Sequence, residues 1–172
     1  MHPPPTAWPL EASRLALQTY AQWFADQKPE PPRAPDQRPL GWTTPNVVRL
    51  QLPSMRLREF SRGISAQPPL LICAPYALHG AIITDFAPGH SLVQALQKGG
   101  VNRIYVPDWR SATPDMRYLS IDNYLADLNV AIDEIGAPVD LVGLCQGGWL
   151  SLVYAARFPG KVRRLVLAGA PV

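Results

Sequence analysis

From Asn46 onward, the pattern of apolar and polar residues first has the two-residue period of β-strands. Further along the chain, strand patterns alternate with helix patterns. An apolar residue stands at every second position of NVVRLQL and of MRLREFS, and Pro53 and Ser54 separate the two segments, which predicts a β-hairpin. An almost continuous apolar run, PLLICAP, is typical of a strand that is buried on both faces. Further along, RIYVPDW predicts one more strand, and VRRLVLAGAPV predicts another buried one.

Two helical patterns lie between these strands. The first begins at Ser91, with Gln94 three residues later as in a capping box, and a pair of glycines ends it. The second begins after Ser120 and ends at Gly136. Its apolar positions fall on one helical face, which is formed by Ile121, Tyr124, Leu125, Leu128, Ile132 and Ile135.

Strands and helices alternate from Leu70 to the last residue. A third helix follows the segment VDLVG, so the order is β-α-β-α-β-α-β with short connections. This order predicts an α/β fold with a mostly parallel sheet and helices on both faces. The preceding hairpin is expected to add antiparallel strands at one edge of that sheet.

The first 45 residues differ in composition from the rest of the chain. Ten of the twenty prolines lie there, on both sides of one amphipathic helical segment from Leu10 to Asp26. Residues 28–45 are expected to be extended and polyproline-like. We therefore predict a proline-rich arm over residues 1–45 and a packed domain over residues 46–172. The helical segment of the arm either docks on the packed domain or offers its aromatic side to a partner. For a non-catalytic binding protein, the side chains offered would be those of Trp8, Trp23, Phe24 and Trp42.

Composition and charge exclude several classes of function. The chain has 172 residues and a net charge of +3, and its basic residues are scattered, which argues against nucleic acid binding. The N-terminus lacks the features of a secretory signal, and no apolar run is long enough to span a membrane. Its two cysteines have neither a pairing pattern nor metal-ligand spacing. We therefore expect a cytoplasmic protein with no metal and no cofactor.

The most informative stretch runs from Val139 to Pro159. It predicts a short buried strand, a glycine-edged turn with Cys145 at its tip, and a helix that starts at once. A turn that pushes one side chain out above a sheet leaves little room at the positions two before and two after it. Gly143 and Gly147 occupy those positions, and Gly148 lets the helix pack closely on the sheet.

The residue types of this turn fit nucleophilic catalysis. A helix N-terminus carries a partial positive charge and unpaired N–H groups, so it stabilises a thiolate at Cys145. The backbone N–H of Gln146 is placed to bind an oxyanion. The alternative is that Cys145 is a small buried apolar residue in a glycine-rich turn, which is a common role for a free cysteine.

This strand–turn–helix arrangement resembles the nucleophile elbow of the α/β-hydrolase fold, with GLCQGG following the fifth strand. Within that fold, the stretch from about Thr44 to Val172 resembles the polyhydroxyalkanoate synthases and the related intracellular depolymerases. The resemblance rests on TPNVV, PLLICAPY, Asp85 followed by SLVQAL, DWR ahead of SIDNYLADL and, above all, cysteine in a G-x-C-x-G-G elbow. The LHG stretch after PLLICAP departs from the synthase pattern.

The resemblance implies acyl transfer. Cys145 would attack a hydroxyacyl-coenzyme A thioester, and the N–H groups of Gln146 and of the Tyr76 region would stabilise the oxyanion. The implied partners are this thioester or a polyester, a polyester granule surface and a second copy of the chain, with coenzyme A entering only as part of the substrate. Two alternatives remain open, a polyester or thioester hydrolase with the same cysteine and a non-catalytic granule-associated protein.

The fold resemblance also implies a catalytic acid and a histidine that follow the nucleophile in sequence. All three histidines precede Cys145, and 27 residues follow it. We therefore expect the chain to be the N-terminal part of a longer enzyme, truncated after the sixth strand and inactive by itself. Of the histidines present, His79 is a weaker candidate for the catalytic base than a histidine after Cys145 would be, and His90 is weaker still. Cys73 is expected in the core. Asp108 and Asp115 are expected to be turn or capping groups rather than catalytic acids.

Overall fold

The computed structural model describes residues 14–15, 17–19, 21–22, 41–77 and 79–172. The described residues before position 23 are helical, within the segment predicted to form a helix. The aromatic residues Trp8, Trp23 and Phe24, expected either to dock on the domain or to face a partner, lie outside the described ranges. No helix in the described part of the chain is both long and apolar enough to cross a membrane.

Six strands form one mixed sheet in the order β1-β2-β6-β3-β7-β8. Their bounds are β1 Val47–Gln51, β2 Met55–Glu59, β3 Leu70–Cys73, β6 Ile104–Trp109, β7 Val139–Leu144 and β8 Val162–Ala168. Strands β6, β3, β7 and β8 are parallel, and the β1–β2 hairpin joins β6 in antiparallel orientation. The predicted α/β fold with a hairpin at one edge is therefore confirmed.

Three helices connect the parallel strands: α1 Leu92–Lys98, α2 Ile121–Ile135 and α3 Gln146–Arg157. Because successive strand side chains point to opposite faces, β3 sends Leu71 and Cys73 into one cluster and Ile72 into another. The first cluster includes the buried faces of α2 and α3, and the second includes Val93 of α1. Helices thus cover both faces of the sheet, as expected.

The predicted helix boundaries agree closely with the structure. The Ser91 hydroxyl oxygen accepts the N–H of Gln94 at 2.9 Å, which satisfies one of the unpaired N–H groups at the start of α1. At the start of α2, the Asn123 side-chain oxygen accepts the backbone N–H of Ser120 at 2.8 Å. The predicted apolar face of α2 packs into the core.

A small second sheet was not predicted. It pairs β4 Asp85–Ala87 with β5 His90–Ser91 in antiparallel orientation, on the connection between β3 and α1. These strands have three and two residues, so they are too short to produce a recognisable alternation of apolar and polar positions.

The prediction that β8 is buried is wrong. Strand β8 pairs with β7 and, within the described ranges, with no other strand, so it forms an edge of the sheet. Its side chains are mostly exposed, including Val166 at 53%. An apolar run cannot by itself distinguish a central strand from an edge strand.

The boundary of the arm also needs a correction. Trp42 packs on Phe60 with ring centroids 5.3 Å apart, and the Arg58 guanidinium lies 4.9 Å from the Trp42 ring. Thr44 is buried, and its N–H and hydroxyl donate to the Asp85 carboxyl group at 2.6 and 2.7 Å. Trp42 and Thr44 therefore pack with the domain, although the proline-rich composition of the first 45 residues placed them in the arm.

Candidate active site

Cys145 stands at the tip of the turn between β7 and α3, at the carboxyl end of the parallel strands. Its φ of 50° makes it the one non-glycine residue with positive φ in the described part of the chain. Such a conformation costs on the order of 1–3 kcal/mol and is common at functional sites. Its side chain is exposed and forms no cap on α3, so the alternative of a buried packing residue does not apply.

Three glycines make this turn sterically feasible. A Cβ on Gly147 would lie 2.2 Å from the carbonyl oxygen of Cys73, and a Cβ on Gly143 would lie 2.4 Å from the Cα of Gly148. A Cβ on Gly148 would lie 2.5 Å from the Cβ of Ala170. All three distances are shorter than real Cβ contacts, so the turn and the start of α3 lie too close to β7, to the end of β3 and to the segment after β8 for any side chain at these positions.

The N-terminus of α3 directs unpaired N–H groups toward this turn. The Gly148 N–H is satisfied by the Cys145 carbonyl at 2.8 Å, whereas the N–H of Gln146 opens the helix and has no earlier helical carbonyl to bind. No acidic residue lies in the first turn. The local field at Cys145 therefore favours negative charge.

The loop after β3 lies across from α3. Here the Ala77 N–H donates to the side-chain oxygen of Gln146 at 3.1 Å. The adjacent Tyr76 N–H has no hydrogen bond to any described residue, and the Tyr76 ring stacks on Tyr124 with centroids 5.0 Å apart. Sequence reasoning singled out Gln146 for its backbone but missed the role of its side chain, because only the folded loop brings Ala77 to it.

Neither of the two histidines in the described ranges is assembled with Cys145. His79 follows β3, and its Nδ1 lies 3.1 Å from the hydroxyl oxygen of Ser111, which follows β6. Since β3 lies between β6 and β7, this contact holds His79 on the side of β3 away from the β7–Cys145 turn. His90 lies exposed in β5.

Asp108 and Asp115 also serve other purposes. The Asp108 carboxylate accepts the Arg58 Nε–H at 2.7 Å and the Ala81 N–H at 3.1 Å, so both of its oxygens are engaged. Asp115 is exposed in the first turn of a short 3-10 helix, Pro114–Tyr118. Neither aspartate contacts Cys145 in the described structure.

Cys73 lies in the core beneath the turn. It is fully buried, and loss of solvation raises the pKa of its thiol to about 12. The two cysteines therefore occupy opposite environments, and only Cys145 is accessible to a substrate. Within the described ranges, no group of three or more histidine, cysteine or acidic side chains is arranged to hold a metal ion.

Residues 68–172 match the family model for the α/β-hydrolase fold. The chain is 35% identical over 136 residues to the poly(3-hydroxyalkanoate) polymerase subunit PhaC of Synechocystis sp., covering 75% of this chain and 36% of that protein. It is 33% identical over 134 residues to PhaC of Haloferax mediterranei, covering 74% and 27%. Over 96 residues it is 46% identical to the 2-hydroxy-6-oxo-2,4-heptadienoate hydrolase of Pseudomonas putida, covering 53% and 34%.

Among solved structures, the thioesterase domain from the curacin biosynthetic pathway superposes with a TM-score of 0.54 at 23% identity, covering 76% of this chain and 47% of that one. This likeness supports the fold. The chain spans about a third of the length of the curated relatives that it matches. It belongs to the α/β-hydrolase fold family, and the resemblance of most of its length to the poly(3-hydroxyalkanoate) polymerases, expected from the motifs around Cys145, is confirmed.

Proposed function

We propose that Cys145 is the nucleophile of an acyltransferase that acts on hydroxyacyl-coenzyme A thioesters, as in polyhydroxyalkanoate synthesis. The observation that carries this proposal is an exposed thiol at positive φ on the N-terminus of α3. A thiol held only for packing would not require this strained position, nor three glycines that admit no Cβ. The similarity to PhaC supplies the substrate class.

The first step is attack of the Cys145 sulfur on the thioester carbonyl carbon. A new carbon–sulfur bond forms, the bond to the coenzyme A sulfur breaks, and coenzyme A leaves with the proton that Cys145 has lost. The negative charge that develops on the carbonyl oxygen would be stabilised by the N–H groups of Gln146 and Tyr76. The Gln146 side chain holds the loop that carries Tyr76 through its bond to Ala77.

The second step needs a general base. In synthesis, a hydroxyl group of the growing polyester attacks the acyl-enzyme, and its proton must be removed as the ester bond forms and the bond to Cys145 breaks. No histidine is placed beside Cys145 in the described ranges, and His79 is held by Ser111. We therefore propose that this chain alone is acylated slowly and then retains the acyl group.

Hydrolysis by the same cysteine is the second candidate, and the 46% identity with a Pseudomonas putida hydrolase favours it over other activities. The geometry of the turn is common to both reactions. They differ only in whether a hydroxyl group or water discharges the acyl-enzyme.

The test forms the acyl-enzyme with 3-hydroxybutyryl-coenzyme A, removes excess thioester, and follows the loss of the adduct by intact mass. One sample receives a short 3-hydroxybutyrate oligomer with a free hydroxyl, and the control receives the same oligomer with that hydroxyl acetylated. We expect most of the adduct to persist in both samples, and the small fraction that is lost to be lost faster with the free hydroxyl, as an oligomer lengthened by one unit. Equal rates with release of the free acid would identify a hydrolase instead.

A further inference from the structure

A cavity of about 280 Å³ lies at the carboxyl end of the sheet, and the turn of Cys145 does not account for it. Its lining combines three strand ends: Arg56 from β2, His79 after β3, and the segment from Asp108 to Ser111 at the end of β6. Strand pairing sets Arg56 directly opposite Asp108, which brings these residues together. Ligand-binding pockets usually measure about 300–1,000 Å³, so this cavity has room for one group of a ligand rather than a whole cofactor.

The charges in this cavity are unbalanced. Asp108 is the only acid in its lining, and its two oxygens are already engaged by Arg58 and by the Ala81 N–H. Arg110 donates one N–H group to the Pro53 carbonyl at 2.9 Å, which restrains the side chain. The other N–H groups of its guanidinium take no part in this bond. Neither Arg56 nor Arg110 forms an ion pair with any acid in the described part of the chain. The lining therefore includes two arginines that form no ion pair within the described residues.

The remaining polar groups also suit an anion. The contact between His79 Nδ1 and the Ser111 hydroxyl leaves the other ring nitrogen of His79 available. Guanidinium groups match the geometry of phosphate oxygens and bind them through paired hydrogen bonds. A cavity that holds two of them beside an imidazole and a hydroxyl is suited to a phosphate or diphosphate group.

The position of the cavity relates it to Cys145. Strand β3 separates β6 from β7, so the two sites lie two inter-strand spacings apart across the sheet, roughly 10 Å. Both lie at the same end of the parallel strands. In coenzyme A, the flexible pantetheine arm separates the thioester sulfur from the diphosphate, and this arm can span such a distance.

We propose that the cavity lined by Arg56, His79, Arg110 and Ser111 binds the diphosphate of the coenzyme A thioester while the acyl group lies at Cys145. This assignment rests on the proposed function for its choice of substrate. It gives His79 and Arg110 a role in substrate binding rather than in proton transfer.

The test measures binding of coenzyme A to the full chain by calorimetry, with pantetheine as the ligand that lacks the phosphates. Arg56→Gln and Arg110→Gln remove one charge each. Arg62→Gln is the matched control, because it also removes one exposed charge. The Arg62 backbone N–H donates to the Asn102 carbonyl, which places Arg62 at the end of the β2–β6 pair opposite to the cavity. Each substitution in the cavity should weaken coenzyme A binding roughly tenfold, the usual effect of losing a charge-assisted hydrogen bond. Pantetheine binding should be equal in all four proteins.

Unchanged coenzyme A binding in both cavity variants would overturn the assignment, and so would an absence of binding to the wild type. An equal loss in Arg62→Gln would also overturn it, because the effect would then be one of overall charge. Inorganic diphosphate that binds as tightly as coenzyme A would show an anion site unrelated to the thioester. Acylation of Cys145 is measured separately. If Arg56→Gln and Arg110→Gln bind coenzyme A like the wild type and Cys145 is still acylated, the assignment of the cavity is rejected and the proposed function stands.

Discussion

At the residue scale, Cys145 and Cys73 provide an internal comparison of one side chain in two environments. Cys145 is exposed, whereas burial raises the pKa of the Cys73 thiol to about 12, well above its ordinary value. At about pH 8 the Cys73 thiol is therefore neutral as well as inaccessible, and only the thiolate is nucleophilic. Iodoacetamide should alkylate Cys145 in the native chain and spare Cys73.

Peptide mass spectrometry before and after unfolding in urea measures this difference. Cys145→Ser should abolish native labelling while keeping the fold, and urea should make Cys73 reactive. Labelling of Cys73 in the folded protein at the rate of Cys145 would contradict the packing of β3.

Gly147 shows how closely the turn is packed. An alanine there would place its Cβ 2.2 Å from the Cys73 carbonyl and 2.6 Å from that of Ala74, and backbone atoms cannot easily move away. Gly147→Ala should destabilise the fold by at least about 1–3 kcal/mol, the usual cost of overpacking. Gly147→Val should cost more.

Thermal unfolding checks this prediction, with Gly160→Ala as the control because a Cβ at Gly160 meets no atom within 4 Å. The melting temperature should fall by about 3–10 °C in Gly147→Ala and change little in Gly160→Ala. Equal melting temperatures would mean that the strand and the helix are further apart at this turn.

At the element scale, Gln146 connects α3 to the loop after β3. Its side-chain oxygen accepts the Ala77 N–H, and Gln146→Met keeps the length of the side chain but removes the acceptor. Amide hydrogen exchange at Ala77 should then accelerate about five- to tenfold, as expected from the loss of one hydrogen bond. Exchange measured by NMR reports this effect without any catalytic assay.

Gln94→Met on α1 is the control, since Gln94 lies outside this loop. If the loop positions an oxyanion donor, acylation of Cys145 should also slow in Gln146→Met. An unchanged exchange rate at Ala77 in that variant would show that the loop is held by other contacts.

Asp85 joins a different set of elements. Its buried carboxyl group accepts the N–H and the hydroxyl of Thr44, and the hydroxyl of Ser91 at 2.5 Å. Asp85→Ala leaves the two buried donors of Thr44 and the half-buried Ser91 hydroxyl unpaired, and should lower the free energy of unfolding by about 2–4 kcal/mol. Urea denaturation measures it, with the exposed Asp115→Ala as the control. Equal midpoints for the two variants would argue against a structural role of this cluster.

Strand and helix periods predict β1, β2, β3, β6 and β7 because each of these strands has an apolar pattern that is complete within its own sequence. The contacts of Trp42 with Phe60 and of Thr44 with Asp85 join segments about twenty or forty residues apart, which a local pattern cannot reveal. The same limit applies at the site. Glycine spacing in the sequence identifies the turn of Cys145. In contrast, Arg56, His79 and Arg110 are far apart in the sequence, and only the pairing of strands in the folded sheet brings them to one cavity.

At the scale of the whole molecule, the two edges of the sheet differ. Strand β1 carries Arg49, which pairs with Glu59 and Glu134, and a bulge interrupts its pairing with β2. Strand β8 presents an apolar run with exposed Val166 at 53%. An unprotected apolar edge strand is a template for pairing between chains, so the chain should self-associate through β8.

Sedimentation velocity over a range of concentrations measures this association. Val166→Lys should shift the distribution toward monomer, because a charge at the edge disfavours strand pairing. Val47→Lys on the opposite edge, at a residue 61% exposed, should leave it unchanged. Equal effects of the two substitutions would locate the association elsewhere.

The most direct measurement of the central claim is the mass of the full chain during incubation with 3-hydroxybutyryl-coenzyme A, with the modified residue located by peptide mapping. Our account predicts one slowly formed acyl group on Cys145, one equivalent of coenzyme A released, and neither in Cys145→Ala. Repeated turnover that disappears in Cys145→Ala would keep the nucleophile but show that a base is present, with His79 the first to test. No adduct, or an adduct that persists in Cys145→Ala, would contradict the assignment of Cys145 as the nucleophile.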